Sequence, residues 1–177
     1  MQTSLVDTAE ILVRERIPGS RKGSDEPAYV HSLRVGKKIQ SLGFDEDVVL
    51  AAMLHDIIED GAVSPDELLR YGFSARTVQL VRLCSHDDTI EGGDARWVKM
   101  MAGLIDARDT DAWSIKCADL NDNLHSAHTM SEDRQRFLRE AKGPFLLKLS
   151  WHQIADTPIW KELQNTVASL QKSSHAR

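Results

Sequence analysis

Apolar residues recur along most of this chain at intervals of three and four, and no stretch alternates over the length of a strand. That periodicity predicts an all-α fold, a compact multi-helix bundle. Leu5, Ala9, Leu12, Val13 and Ile17 share one face of a first helix over residues 4–16, which Pro18-Gly19 stops. A polar loop, residues 20–26, carries Arg21, Lys22 and Gly23. Pro27 suits the first turn of a second helix with Val30, Leu33, Val35, Ile39 and Leu42 on its apolar face and Gly43 at its end. Asp45 is the expected N-cap of a third helix over residues 47–60, which holds the apolar run from Val48 to Leu54 and stops at Gly61. Ser64-Pro65 opens a short fourth helix ending at Gly72, and Ser74 opens a fifth. Residues 86–93 read as a loop. Further helices are predicted over residues 94–107, 110–127, 131–155 and 158–171, with Thr157 capping the last. Gly143-Pro144 should kink or split the helix that contains it, because proline lacks the N–H and crowds the preceding turn. Residues 172–177 are expected to fray.

Neither a repeat nor a linker divides the 177 residues, so residues 1–177 read as a single domain, long enough to bury a core without a staple. Lys and Arg total 22 against 27 Asp and Glu, a net charge of −5, which argues against non-specific nucleic-acid binding. Cys84 and Cys117 have no CxxC spacing, which fits a reducing compartment better than a disulfide framework or a cysteine zinc site. The apolar run Val48 to Leu54 is far short of the ~20 residues of a membrane span, and Asp7 and Glu10 interrupt any signal-peptide pattern. A cytoplasmic location with no membrane partner is the expectation; composition leaves the oligomeric state open.

The chemistry lies where polar residues interrupt the apolar pattern. The third helix should carry His55, Asp56, Glu59 and Asp60; at i, i+4 spacing His55 shares a face with Glu59, and Asp56 with Asp60. Three carboxylates beside a core face need a cation. His31 sits among apolar neighbours on the preceding helix, and Asp119 lies inside the apolar segment Ser114 to Leu120. Taken singly, each reads as a satisfied polar group in a core. Together they offer two imidazoles and two carboxylates from three helices, a donor set that suits Mn, Fe, Co, Ni or Zn.

This ordering resembles the HD-domain metal-dependent phosphohydrolases. His55-Asp56-Ile57-Ile58-Glu59-Asp60 is similar to the HDxxED form found in the hydrolase domain of RelA/SpoT-type alarmone enzymes and in the small alarmone hydrolases. Arg21-Lys22 followed by Pro27-Ala28-Tyr29-Val30-His31, Asp66-Glu67-Leu68-Leu69 with Tyr71-Gly72, and Lys116-Cys117-Ala118-Asp119 with Asn123 resemble further segments of that family. The resemblance spans residues 21–126, with C-terminal helices over 131–171 beyond it. Polar Asn121-Asp122 and the segment Cys84-Ser85-His86-Asp87-Asp88 differ from the family pattern, differences expected at the pocket wall rather than at the metal.

The resemblance implies one Mn²⁺ held by His31, His55, Asp56 and Asp119. Glu59 would align or deprotonate the attacking water, and Asp60 would support it. It implies hydrolysis of the 3′-pyrophosphate of guanosine tetra- or pentaphosphate to GDP or GTP and pyrophosphate. Arg21 would face the guanine, Lys22 a phosphate and Asn123 the ribose, with Ser126 a further phosphate or ribose contact. Two other readings stay open: an HD phosphohydrolase for another nucleotide or phosphate ester, and a non-enzymatic nucleotide-binding module. The dipeptide His86-Asp87 lies in a polar loop and is set aside as a metal site, and His125 and His128 read as surface residues. Trp97, Trp113, Trp151 and Trp160 read as core or interface anchors.

Overall fold

The computed structural model describes residues 4–175 and contains no β-strand among them. Helix α1, Leu5–Arg16, begins with a capping box in which Ser4 and Asp7 satisfy each other's backbone N–H groups. It buries Ala9, Leu12 and Val13. Next come α2, Tyr29–Ser41, and α3, Glu46–Leu54, packed so closely that a Cβ on Gly36 would lie 2.2 Å from Met53 Cγ. Short α4, Pro65–Arg70, starts where expected and has a capping box from Ser64 to Glu67. Then follow α5, Ala75–Cys84, α6, Gly93–Ala107, and α7, Thr110–Ser126. A 3₁₀ turn, Ala127–Thr129, leads through α8, Glu132–Arg136, and a π-helical segment, Phe137–Lys142, into α9, Gly143–Ile154, and α10, Pro158–His175.

Helix α7 is the central element. Its side chains from Ala112 to Asn121 are all buried, and it packs against α2, α3, α5, α9 and α10. Trp113 and Ile115 on it are fully enclosed. At its start the Asp109 carboxylate caps Asp111 and Ala112 and is bridged by Arg76 from α5. No described helix is long and apolar enough to cross a membrane.

Three expectations are corrected and one is given its form. Pro27 does not open α2: it forms an isolated antiparallel bridge with Ser20, and the helix starts at Tyr29. The third helix stops at Leu54 instead of running to residue 60. The His55 imidazole donates through Nδ1 to the Ala52 carbonyl at 2.8 Å, the acceptor that a continuing helix would offer to the Asp56 N–H. Residues 55–60 form successive turns, with Ile57 N–H donating to Leu54 O and Asp60 N–H to Asp56 O. The expected break at Gly143-Pro144 is present and takes the form of a π segment just before it, since a wider turn accommodates the missing donor and the ring. Finally, α10 continues past the expected fray at residue 172 to His175, and residues 176–177 lie outside the described residues.

Candidate active site

Three helices and one turn deliver the expected metal-site residues to one place. His31 stands on the first turn of α2, His55 at the C-terminal cap of α3 with Asp56 next to it, and Asp119 midway along α7. Ligand atoms of His31, His55 and Asp56 all lie within 4.8 Å of one another. The Asp119 Oδ1 is 3.2 Å from His31 Nε2 and 3.8 Å from His55 Nε2. The two imidazole rings meet edge to face at 5.1 Å.

The tautomers are fixed from behind. His55 Nδ1 donates to Ala52 O, and His31 Nδ1 donates to Asp122 Oδ2 at 2.7 Å. Both Nε2 atoms are therefore left for the shared space, as in metal-ligating imidazoles oriented by a carbonyl or carboxylate. His55 Nε2 is buried without a hydrogen-bond partner, because Asp56 Oδ1 at 3.2 Å lacks hydrogen-bond alignment. An orphaned buried nitrogen facing two carboxylates is a donor set that fits a divalent cation.

These groups shift one another's ionisation. Burial alone would lower the His55 pKa, but Asp56 and Asp119 raise it to about 10. Burial likewise opposes ionisation of Asp119, and the Lys116 ammonium and both histidines overcome it, holding its carboxyl well below the usual range. Lys116 Nζ reaches Asp119 Oδ2 at 2.6 Å, and Asn123 Nδ2 donates to Oδ1 at 2.6 Å. Asp60 is pushed upward by burial and by Asp56 and Glu59.

A cavity of about 450 Å³ opens above this cluster. Arg21, Lys22, Glu59, Asp60 and Asn123 line it together with the candidate metal ligands His31, Asp56 and Asp119. Arg21 comes from the loop before α2 and donates to Asn123 Oδ1 at 2.8 Å, so two expected substrate contacts are bonded to each other. Ser126 does not line the cavity, although it continues the Asp119–Asn123 stripe; it is the last residue of α7, where its carbonyl accepts from Thr129 Oγ1 at the 3₁₀ turn.

Several site residues were not assigned from sequence. His86, set aside in its loop, lines the cavity and grips Glu59: its backbone N–H donates to Oε1 at 2.5 Å and its Nδ1 to Oε2 at 2.8 Å. Glu59 meets His86 across the turn instead of sharing a helix face with His55. Asp122 is not pocket wall, as was expected of it: it stands behind the site, accepting from His31 Nδ1 and from Arg34 Nε at 2.7 Å. Its position three residues after Asp119 on α7 was the available signal. Asn121 faces away and donates to Glu162 of α10. Trp97, Arg134 and Lys142 form the far wall, with Lys142 Nζ 5.3 Å from the centre of the Trp97 ring. They come from α6, α8 and the end of the π segment, and no local spacing announces that these elements meet at the cavity. His125 and His128 line a separate hollow between α7 and α10.

The HD domain family model matches residues 9–143. A guanosine-3′,5′-bis(diphosphate) 3′-pyrophosphohydrolase of Haemophilus influenzae is 29% identical over 161 residues, covering 88% of this chain and 23% of that protein. The bifunctional (p)ppGpp synthase/hydrolase SpoT of Escherichia coli K12 is 24% identical, covering 82% of this chain and 22% of its own length. This chain thus spans about a quarter of the length of these curated relatives. The solved structure of a metazoan SpoT ortholog, described as hydrolysing ppGpp, superposes with a TM-score of 0.75 at 18% identity, covering 98% of this chain and 97% of that one. That likeness shows the same helical fold. With the family model spanning most of its length, and His31, His55, Asp56 and Asp119 gathered beneath one cavity, this chain belongs to the HD-domain family.

Proposed function

We propose that this protein is a metal-dependent phosphohydrolase that removes the 3′-pyrophosphate of guanosine tetra- or pentaphosphate, giving GDP or GTP and pyrophosphate. One observation carries the reading. An imidazole–carboxylate cluster suited to a divalent ion forms the floor of a cavity whose walls bring Arg21, Lys22, Arg134 and Lys142 together, a charge distribution that fits a phosphate-rich nucleotide. The similar proteins named as pyrophosphohydrolases support the choice of substrate.

His31, His55, Asp56 and Asp119 hold the ion, with Mn²⁺ favoured among the metals that mixed nitrogen and oxygen donors accept. When bound, it supplies Lewis-acid polarisation of the phosphoryl oxygen and of the attacking water. Asp122 and the Ala52 carbonyl keep the two imidazoles in register. Lys116 neutralises the Asp119 oxygen turned away from the histidines. Glu59 and Asp60, which line the cavity on the turns after Asp56, assist the activation of the attacking water. Arg21 presents its guanidinium plane to the base, Asn123 meets the ribose, and Lys22 meets phosphate. The whole chain, residues 1–177, acts as one hydrolase domain in the cytoplasm.

The test is product analysis with Mn²⁺. Guanosine 3′-diphosphate 5′-diphosphate should yield GDP and intact pyrophosphate, faster than any phosphate is released from a 5′-mononucleotide at equal concentration. Binding energy from the base and the 5′ end positions the 3′ phosphorus, so truncated substrates should lose turnover as well as affinity. Faster attack on the 5′-mononucleotide would favour a different phosphohydrolase.

A further inference from the structure

His86 is the side chain in the cavity whose chemistry the resemblance leaves unused. Both of its attachments go to one carboxylate: backbone N–H to Glu59 Oε1, and Nδ1 to Glu59 Oε2. An ionised carboxylate only accepts, so the ring's Nδ1 carries the proton and the neutral imidazole keeps a bare lone pair on Nε2. That Nε2 is buried and has no hydrogen-bond partner, while the residue lines the same cavity as Asp56 and Asp119. Leaving such an atom unpaired is unfavourable, and a group entering the cavity would relieve it. Glu59 in turn has each oxygen already committed to His86.

We propose that His86 Nε2 is the proton acceptor for the attacking water, with Glu59 acting behind it to hold the tautomer and to stabilise the imidazolium. The inference deepens the proposed hydrolase reading and rests on it. The water oxygen forms a bond to the phosphorus next to the ribose, and the bond from that phosphorus to the 3′-oxygen breaks, its electron pair staying on the 3′-oxygen. The water's proton passes to His86 Nε2. The imidazolium then returns a proton to the 3′-oxygen, so the ring ends neutral and the sum is hydrolysis. A carboxylate–imidazole pair is a stronger proton acceptor near neutral pH than a carboxylate alone, because the imidazole's ordinary pKa lies closer to it. Glu59 is then a positioning residue and His86 a catalytic one.

The experiment compares the manganese-loaded wild type with His86→Asn and Glu59→Gln. Asparagine keeps the backbone N–H and a side-chain donor for Glu59 but places nothing at the Nε2 position. Kcat should fall about 100-fold or more in His86→Asn, with KM changed less than about threefold and bound metal and thermal midpoint retained. If His86 only anchors Glu59, asparagine restores the anchor, and turnover within about threefold of wild type overturns the proposal. Glu59→Gln should fall by a similar factor, and the double variant should lose little more than either single one; a multiplicative loss would overturn the dyad. A second readout needs no turnover. Long-range ¹H–¹⁵N spectra of the wild type at neutral pH should show His86 protonated at Nδ1 and bare at Nε2; a proton on Nε2 contradicts the assignment. If the wild type releases no pyrophosphate from guanosine 3′-diphosphate 5′-diphosphate, the substrate reading fails, and the spectra still decide the dyad.

Discussion

Lys142 sits at the far wall of the cavity, where burial and the nearby Arg134 and Lys116 charges lower its pKa to about 8. Its ammonium faces the Trp97 and Phe137 rings, which favour the cation without hydrating it. A lysine so tuned is charged near neutrality and loses its charge one pH unit higher. The KM for a polyanionic nucleotide should therefore rise between about pH 7 and about pH 9 in the wild type. Lys142→Arg stays charged throughout and should flatten that rise; an equal rise in the variant would place its origin elsewhere. The sign for stability is opposite. Because the folded pKa lies below the unfolded one, the unfolded chain binds more protons from about pH 8 up to the ordinary lysine range, and this residue's contribution to stability increases with pH across that window. At this scale the sequence was legible where spacing is local: Lys116, Asp119 and Asn123 fall on one stripe of α7, and the structure joins them by hydrogen bonds. His86 and Lys142 were not legible, because their neighbours come from elements distant in the chain.

The loop before α2 is held by a backbone contact. Gly23 has φ +81°, and a Cβ there would lie 1.9 Å from the Thr129 carbonyl oxygen. Gly19, in the same loop region, has φ +75° but nothing within 4 Å of such a Cβ. Alanine at either position incurs the left-handed backbone cost of about 1–2 kcal/mol, but only Gly23→Ala must push the loop off the 3₁₀ turn. That displacement pulls Arg21 from Asn123. Gly23→Ala should raise KM about tenfold, roughly 1.4 kcal/mol of binding, with bound metal unchanged, whereas Gly19→Ala leaves KM near wild type. Steady-state kinetics alongside metal content checks this, and equal KM values in the two variants would detach the loop from substrate binding. Element starts were legible wherever a side chain caps its own helix, as Ser4, Ser64 and Ser74 do. Element ends were harder. The apolar run of α3 gave no sign that the His55 ring would occupy the Ala52 carbonyl and turn the chain, and that event sends Glu59 toward His86.

Across the whole molecule, the packing of α2, α3 and α7 brings together groups far apart in the chain. Gly36 lets α2 approach α3 closely, setting His31 against His55, and the buried length of α7 carries Asp119 between them. The motif order predicted this convergence because each donor interrupts an apolar helical pattern, and burying a polar group is costly unless a partner is supplied. The cationic far wall depends on the fold of the C-terminal half, where Arg134 and Lys142 stand either side of the start of a π segment that no periodicity marks. If this packed cluster holds one catalytic divalent ion, an anomalous difference map from crystals of the full chain loaded with Mn²⁺ will show it directly. A single strong peak should lie within bonding distance of His31 Nε2, His55 Nε2 and carboxylate oxygens of Asp56 and Asp119. A map with no peak there, or with manganese held without His55 and Asp119, would contradict it.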